Sequence, residues 1–219
     1  MNQNETYPFI PALGYDFLTA YYDVVIKITM PEKKFRGILV EHINPSVNEH
    51  ILEFGFGTGQ NLLLLLKTNP NITLKGVDID PKVVTIAENK LRKHEIKIPL
   101  QLYDGRTLPY ADGSFDKVYS CLVFHQLDMD TKISSLSELN RILKPNGELV
   151  IADWGKASNW LMRLSFCLVQ LLDGFKTTND NVKGLMPDII SKAGFVNVDI
   201  VNSFNTAIGT ISYFKATKK

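Results

Sequence analysis

From His50 to Trp154 the chain alternates between short apolar runs and longer stretches with helical spacing. "HILEF" leads into "GQNLLLLLK", "ITLKGVDI" into "PKVVTIAENKLRKH", "IPLQLY" and "FDKVYSCLV" into "KISSLSELNRILK", and "GELVIADW" closes the series. Short apolar runs between turn residues read as buried strands, and the periodic stretches read as amphipathic helices. A strand that returns through a helix lies parallel to its predecessor, so the expected class is α/β, with a mostly parallel sheet and helices on both faces. Pro81 at a helix start, Pro145-Asn146-Gly147 after the helix ending in "NRILK", and the Asp112-Gly113 turn before Phe115 mark the boundaries. Further on, "SKAGFVNVDIVNSF" and "AIGTISYFKATK" read as a helix end and two strands. Only a short loop separates them, which forces an antiparallel pair.

A chain of 219 residues, 45% of them hydrophobic, suffices for one sizeable core and is read as one domain. Its parts are a helical cap at 1–49, the alternating core at 50–154, an apolar helical insert at 156–184, and a C-terminal helix and hairpin at 185–219. With 24 basic against 23 acidic side chains and no basic run, the footprint of a nucleic-acid binder is missing, so a small-molecule partner is expected. Cys121 and Cys167 have neither metal-site spacing nor disulfide density, which suits a reducing compartment. The N-terminus "MNQNETYPFI" lacks a basic start followed by an apolar segment, so a cytoplasmic location is expected.

Helical spacing over Tyr15–Ile28, through Phe17, Leu18, Tyr21, Tyr22, Val25 and Ile26, precedes a second helix in "KKFRGILVEHI". In the insert, "NWLMRLSFCLVQLLDGF" leaves only Arg163 and Gln170 on a narrow polar stripe. Such a helix is buried or covers something apolar, and it is too short, with an arginine inside it, to span a membrane. A lid over a pocket, peripheral membrane or lipid contact through 159–175, and dimerisation all remain open. The oligomeric state is not legible.

Chemistry concentrates in "ILEFGFGTGQN", where Gly55, Gly57 and Gly59 stand between strand and helix. Glycine costs folding entropy, and a cluster of it indicates that something approaches the main chain closely. Three acids end three consecutive expected strands: Glu53, Asp78 and Asp104. Ligands of open parallel sheets bind in the crevice outside those ends. The spacing G-x-G-x-G departs from the dinucleotide fingerprint G-x-G-x-x-G, and an opening acid is a poor neighbour for a pyrophosphate. It suits an amino group, while the amides at Thr58 to Asn61 suit one carboxylate. Asp78 suits a ribose diol, Asp104 an exocyclic adenine amine, and Ile79 an adenine face. An amino acid head, a ribose and an adenine together describe S-adenosylmethionine.

Competing readings attach to single residues. Asp78 and Asp104 also fit cap or turn roles. Ser120 on a strand also fits a satisfied backbone group, and His125 in "VFHQLD" a wall residue rather than a proton acceptor. Asp128 and Asp130 start a helix rather than bind metal, because no His or Cys cluster accompanies them, and no metal site is expected.

Four stretches, "ILEFGFGTG", "GVDIDPKVVTIAENK", "YDGRTLPYADGSFDKVYSCLVFHQL" and "LNRILKPNGELVIADW", resemble the class I S-adenosylmethionine-dependent methyltransferases. Within them the chain is similar to the ubiquinone/menaquinone-biosynthesis branch and the type 11 methyltransferase domains, from about Ile51 to Trp154. The resemblance implies a Rossmann-like fold with a mostly parallel seven-stranded sheet and an antiparallel C-terminal strand. It implies Glu53, Gly55, Gly57, Thr58 and Gly59 around the methionine moiety, Asp78 on the ribose, Ile79 on adenine, and Asp104 with Gly105 at the adenine edge. Ser120 would line the methionine side and Tyr22 would fold onto the cofactor. His125 is the candidate base near the transfer zone, and Trp154 a candidate pocket wall. Phe56 departs from the family's small residue or cysteine.

The activity so implied is in-line methyl transfer to a small, hydrophobic acceptor such as a quinone-like ring, a lipid or a natural product, leaving S-adenosylhomocysteine. The rival readings are a non-catalytic S-adenosylmethionine-binding regulator and a nicotinamide-dependent oxidoreductase.

Overall fold

A computed structural model describes residues 31–219. The helical spacing at 15–28, with Tyr22, lies outside these residues. The described elements begin with α1 (Glu32–Ile43), β1 (His50–Phe54), α2 (Gln60–Thr68), β2 (Thr73–Asp78), α3 (Pro81–Lys93), β3 (Leu100–Leu102) and β4 (Phe115–Cys121). After a 3-10 turn at Phe124–Gln126 come α4 (Met129–Ile142), β5 (Leu143–Trp154), α5 (Trp160–Asp173), α6 (Phe175–Lys183), α7 (Met186–Lys192), β6 (Phe195–Asn205) and β7 (Thr210–Lys218).

All seven strands form one sheet in the order β3-β2-β1-β4-β5-β7-β6. The first five are parallel, while β7 runs antiparallel to both β5 and β6. The expected class, the strand number and the antiparallel C-terminal strand are thereby met. Strand order reverses between β1 and β4, where Phe54 pairs with Ser120, so a crevice opens beyond their carboxyl ends.

Helices bury both faces, which is why β1 is apolar on both sides apart from Glu53: Ile51 to Phe54 are all buried. On one face, Phe35, Leu39 and Ile43 of α1 join Leu62 and Leu65 of α2 and Ala87 of α3. On the other, Leu136, Leu139 and Ile142 of α4 join Ile189 and Ile190 of α7. Each such fully buried aliphatic side chain contributes roughly 1.5–3 kcal/mol relative to an exposed one.

Caps fix where helices begin. Asp80 accepts the Lys82 amide at 2.8 Å and Pro81 fills the first turn of α3. Asp128 accepts the Thr131 amide at 2.9 Å to start α4, as its sequence position indicates. One expectation needs correction. Pro145-Asn146-Gly147 does not end an element; β5 runs through it with Asn146 at φ 62°, and the pairing to β4 shifts register between Phe115 and Lys117. The apolar helical insert comprises α5 and α6, and Gly174 at φ 93° ends the first of them.

Candidate active site

Residues that follow four neighbouring strands line one cavity of about 390 Å³. In sheet order these are Tyr103 and Gly105 after β3, Asp78 to Asp80 after β2, Phe54 to Thr58 after β1, and Cys121 to Val123 after β4. Leu127 and Thr131 continue the wall, and Lys176 and Thr177 of α6 complete it. Its volume suits a small-molecule ligand.

The three loop glycines do three different things. All have positive φ: 72° at Gly55, 51° at Gly57 and 76° at Gly59. A Cβ at Gly55 would overlap the Val123 side chain, so that glycine packs the loop against the turn after β4. At Gly59 a Cβ would come 3.2 Å from that of Ala87, so this one seats the start of α2 against α3. Around Gly57 nothing lies within 4 Å of a Cβ position, although Gly57 lines the cavity. This is bare main chain facing open space.

Asp78 ties the loop to β2. Its Oδ2 accepts the Gly57 amide at 2.8 Å, and its Oδ1 accepts the amides of Ile79 at 2.8 Å and Asp80 at 3.1 Å. Burial pushes its pKa up to about 6 against those backbone donors. Ile79 and Gly105 line the cavity beside it, and the Ile79 side chain lies 3.0 Å from a Cβ position on Gly105.

Glu53, Asp104 and Ser120 are placed differently from expectation. Glu53 is fully buried behind the cavity, where Asn61 donates to its Oε1 at 2.7 Å and the Tyr119 hydroxyl to its Oε2 at 3.0 Å. Asn61 lines the cavity in its stead and accepts from Arg36 at 2.5 Å. Burial raises Glu53 to about 8. Asp104 is exposed and does not line the cavity; its Oδ1 closes a turn by accepting the Arg106 and Thr107 amides at 2.9 and 3.3 Å. Ser120 is fully buried and donates to the Phe54 carbonyl at 2.8 Å, which joins β4 to β1 rather than facing a ligand.

His125 needs the largest correction. It does not line the cavity. Its Nδ1 lies 2.7 Å from Asp153 Oδ1 and its Nε2 3.4 Å from Asp173 Oδ2, with the ring 3% exposed. Burial lowers its pKa, but the two carboxylates outweigh burial and raise it to about 10. A doubly bound imidazolium has no lone pair to accept a proton. It joins β5 to the end of α5 instead. Trp154 is core, not cavity wall, with Phe166 5.3 Å and His125 6.4 Å away between ring centroids.

Sequence reasoning did not single out Arg36, Tyr103, Leu127 or Lys176: the first and last lie outside the four family-like stretches, and Tyr103 and Leu127 stand at the two ends of one of them. Phe56, the family departure, finds its place on β2. Its ring occupies the space of a side chain at Gly76, since a Cβ there would come within 2.7 Å of it. Among the described residues no cluster of metal-ligating side chains occurs. Nor is any described helix long and apolar enough to cross a membrane.

Comparison with known proteins agrees with this geometry. Residues 52–151 match the sequence profile of a family described as a methyltransferase domain. An uncharacterised methyltransferase of Synechocystis sp. is 25% identical over 170 residues, 76% of this chain and 76% of that protein. The demethylmenaquinone methyltransferase of Thermotoga maritima is 30% identical over 141 residues, 64% of this chain but only 59% of that protein. In fold, a SAM-dependent methyltransferase from Aquifex aeolicus matches with a TM-score of 0.67 at 19% identity, over 90% of this chain and 98% of the other. Residues 52–151 are thus similar to a methyltransferase domain, and the chain shares its fold with a SAM-dependent methyltransferase of known structure.

Proposed function

We propose that the chain transfers a methyl group from S-adenosylmethionine to a small hydrophobic acceptor. The observation that carries this reading is the single cavity that runs past the ends of β3, β2, β1 and β4 to α6. Its β2 and β3 end offers Asp78, Ile79 and Gly105 for an adenosine, and its centre offers the open main chain at Gly57. Beyond β4, Leu122, Val123 and Leu127 leave an apolar stretch for the acceptor. The Thermotoga relative is named for a demethylmenaquinone substrate, which supports a quinone-like ring over a charged metabolite.

When bound, S-adenosylmethionine supplies an electrophilic methyl on a sulfonium. The work left to the chain is alignment and exclusion of water, which can supply roughly 7–11 kcal/mol of rate enhancement. Gly57 and Asp78 hold one side of the cavity, and Thr177 on α6 closes the other. Glu53 acts through Asn61, whose amide it orients, and so is a positioning residue in this reading. No base faces the acceptor from His125, which is engaged by two carboxylates, or from Cys121, whose thiol burial pushes up to about 12.

Calorimetry with S-adenosylhomocysteine and with NAD, followed by radiolabelled methyl transfer into quinone and lipid extracts, tests the proposal. Binding of the first compound alone and a labelled apolar product are expected. Heat with NAD only, or cofactor binding with no labelled product from any extract, would overturn it.

A further inference from the structure

We propose that the outer face of α5 docks on an anionic lipid surface. Trp160 is 77% exposed, Leu164 60% and Leu171 69%, and the spacing i, i+4, i+11 puts all three on one stripe of the helix. Leu161 widens this stripe, and the opposite side, with Phe166 and Val169, is buried in the core. Phe175 continues the apolar surface past the break at Gly174 and is 55% exposed. Among the described residues nothing covers this apolar surface, and contiguous patches of this kind mark interaction sites.

Charge decides what covers it. Residues 156–184 hold four cations, Lys156, Arg163, Lys176 and Lys183, against two acids, Asp173 and Asp180. Both acids are turned inward, Asp173 to His125 and Asp180 to the fully buried Lys132 at 3.1 Å. Lys156, Lys176 and Lys183 are exposed, and the Lys156 side chain lies against Gly184, so cations flank the stripe at both ends. An apolar stripe with tryptophan, bordered by cations and without an exposed acid of its own, is the pattern of a helix lying in a lipid interface. A second copy of the chain fits poorly, because a two-fold contact would set these same cations against one another.

The surface also adjoins the cavity. Lys176 and Thr177 line it, and Phe175 precedes them directly. Docking there places the cavity at the interface, where an apolar acceptor resides. This last step rests on the proposed acceptor class, whereas the docking surface stands without it.

The full chain is tested by co-sedimentation with phosphatidylcholine vesicles, with and without phosphatidylglycerol, and by tryptophan emission. Of the two tryptophans Trp154 is buried, so a blue shift on adding vesicles reports Trp160. We expect binding to the anionic vesicles only, weakened by salt. Leu164→Glu with Leu171→Glu abolishes it. Lys156→Ala and Lys183→Ala each weaken it about 5-fold. Far-UV circular dichroism on the same variants shows that the fold is intact, and S-adenosylhomocysteine calorimetry on them bears on the cofactor reading alone. Equal binding to neutral vesicles, or no binding to either, overturns the proposal. So does a wild-type dimer in analytical ultracentrifugation that the double glutamate variant disperses without any vesicle binding.

Discussion

Asp78 Oδ2 accepts the amide proton of Gly57 at 2.8 Å, so the acid ending β2 and the glycine facing the cavity form one unit. Asp78→Ala removes that acceptor and two further backbone partners at once. Charge-assisted hydrogen bonds of this kind are worth about 1.5–3 kcal/mol each. We expect S-adenosylhomocysteine affinity to fall at least tenfold in titration calorimetry, with a lower unfolding midpoint as well. An unchanged affinity would remove Asp78 from the cofactor site.

Gly57 and Gly55 separate ligand space from packing space. Gly57→Ala meets no neighbour and costs only the left-handed backbone, about 1–2 kcal/mol, while its methyl enters the cavity. Cofactor affinity should drop far more than stability does. Gly55→Ala overlaps Val123, and is expected to destabilise by about 2–4 kcal/mol, with partial recovery on adding Val123→Ala. Denaturant melts paired with calorimetry on each variant distinguish the two behaviours.

Three buried groups give the ligand-free protein the same pH trend. Folding raises Asp78 to about 6, Glu53 to about 8 and His125 to about 10. A raised pKa means that the folded state holds the proton more tightly than the unfolded state, so stability falls as pH rises through each window. These windows run from about 4 to 6 for Asp78, 4.5 to 8 for Glu53 and 6.5 to 10 for His125. Thermal midpoints should decline between pH 5 and about 9, and Glu53→Gln should flatten the slope below about 8. A midpoint that climbs over that range contradicts the assigned burial.

His125→Asn should act on the fold before it acts on chemistry. Removing the imidazolium leaves Asp153 and Asp173 buried without their cation, a loss on the order of 3–5 kcal/mol. Adding Asp173→Asn should recover part of it, by relieving one carboxylate. In methyl-transfer assays the wild-type pH profile should show no inflection at an ordinary histidine pKa. An inflection there that vanishes in His125→Asn would restore the residue as a base.

Much of the frame was legible because its periodicities are local. The leucine run of α2, Pro81 behind the Asp80 cap, and the strand acids all follow from near neighbours in sequence. What escaped depends on partners far along the chain. Glu53 looked like a ligand acid, but Asn61 and Tyr119 claim both of its oxygens, and Tyr119 lies 66 positions away. His125 looked available until Asp153 and Asp173, from β5 and α5, converged on it. Gly76 opens the stretch that carries Asp78, yet nothing local to it signals that it makes room for Phe56. Pro145-Asn146-Gly147 has turn composition, and it forms a bulge inside β5, between the Leu143 and Glu148 pairings to β4, instead of a break before the strand.

The position of β7 between β5 and β6 has a consequence for synthesis. Because β7 follows both neighbours in the chain, the apolar stretch Leu149-Val150-Ile151 emerges from the ribosome long before its antiparallel partner does. Throughout that interval it is an open sheet edge, the kind of template on which nascent chains aggregate. Substitutions in the closing hairpin should therefore show first as lost soluble yield, and only afterwards as a lower melting point.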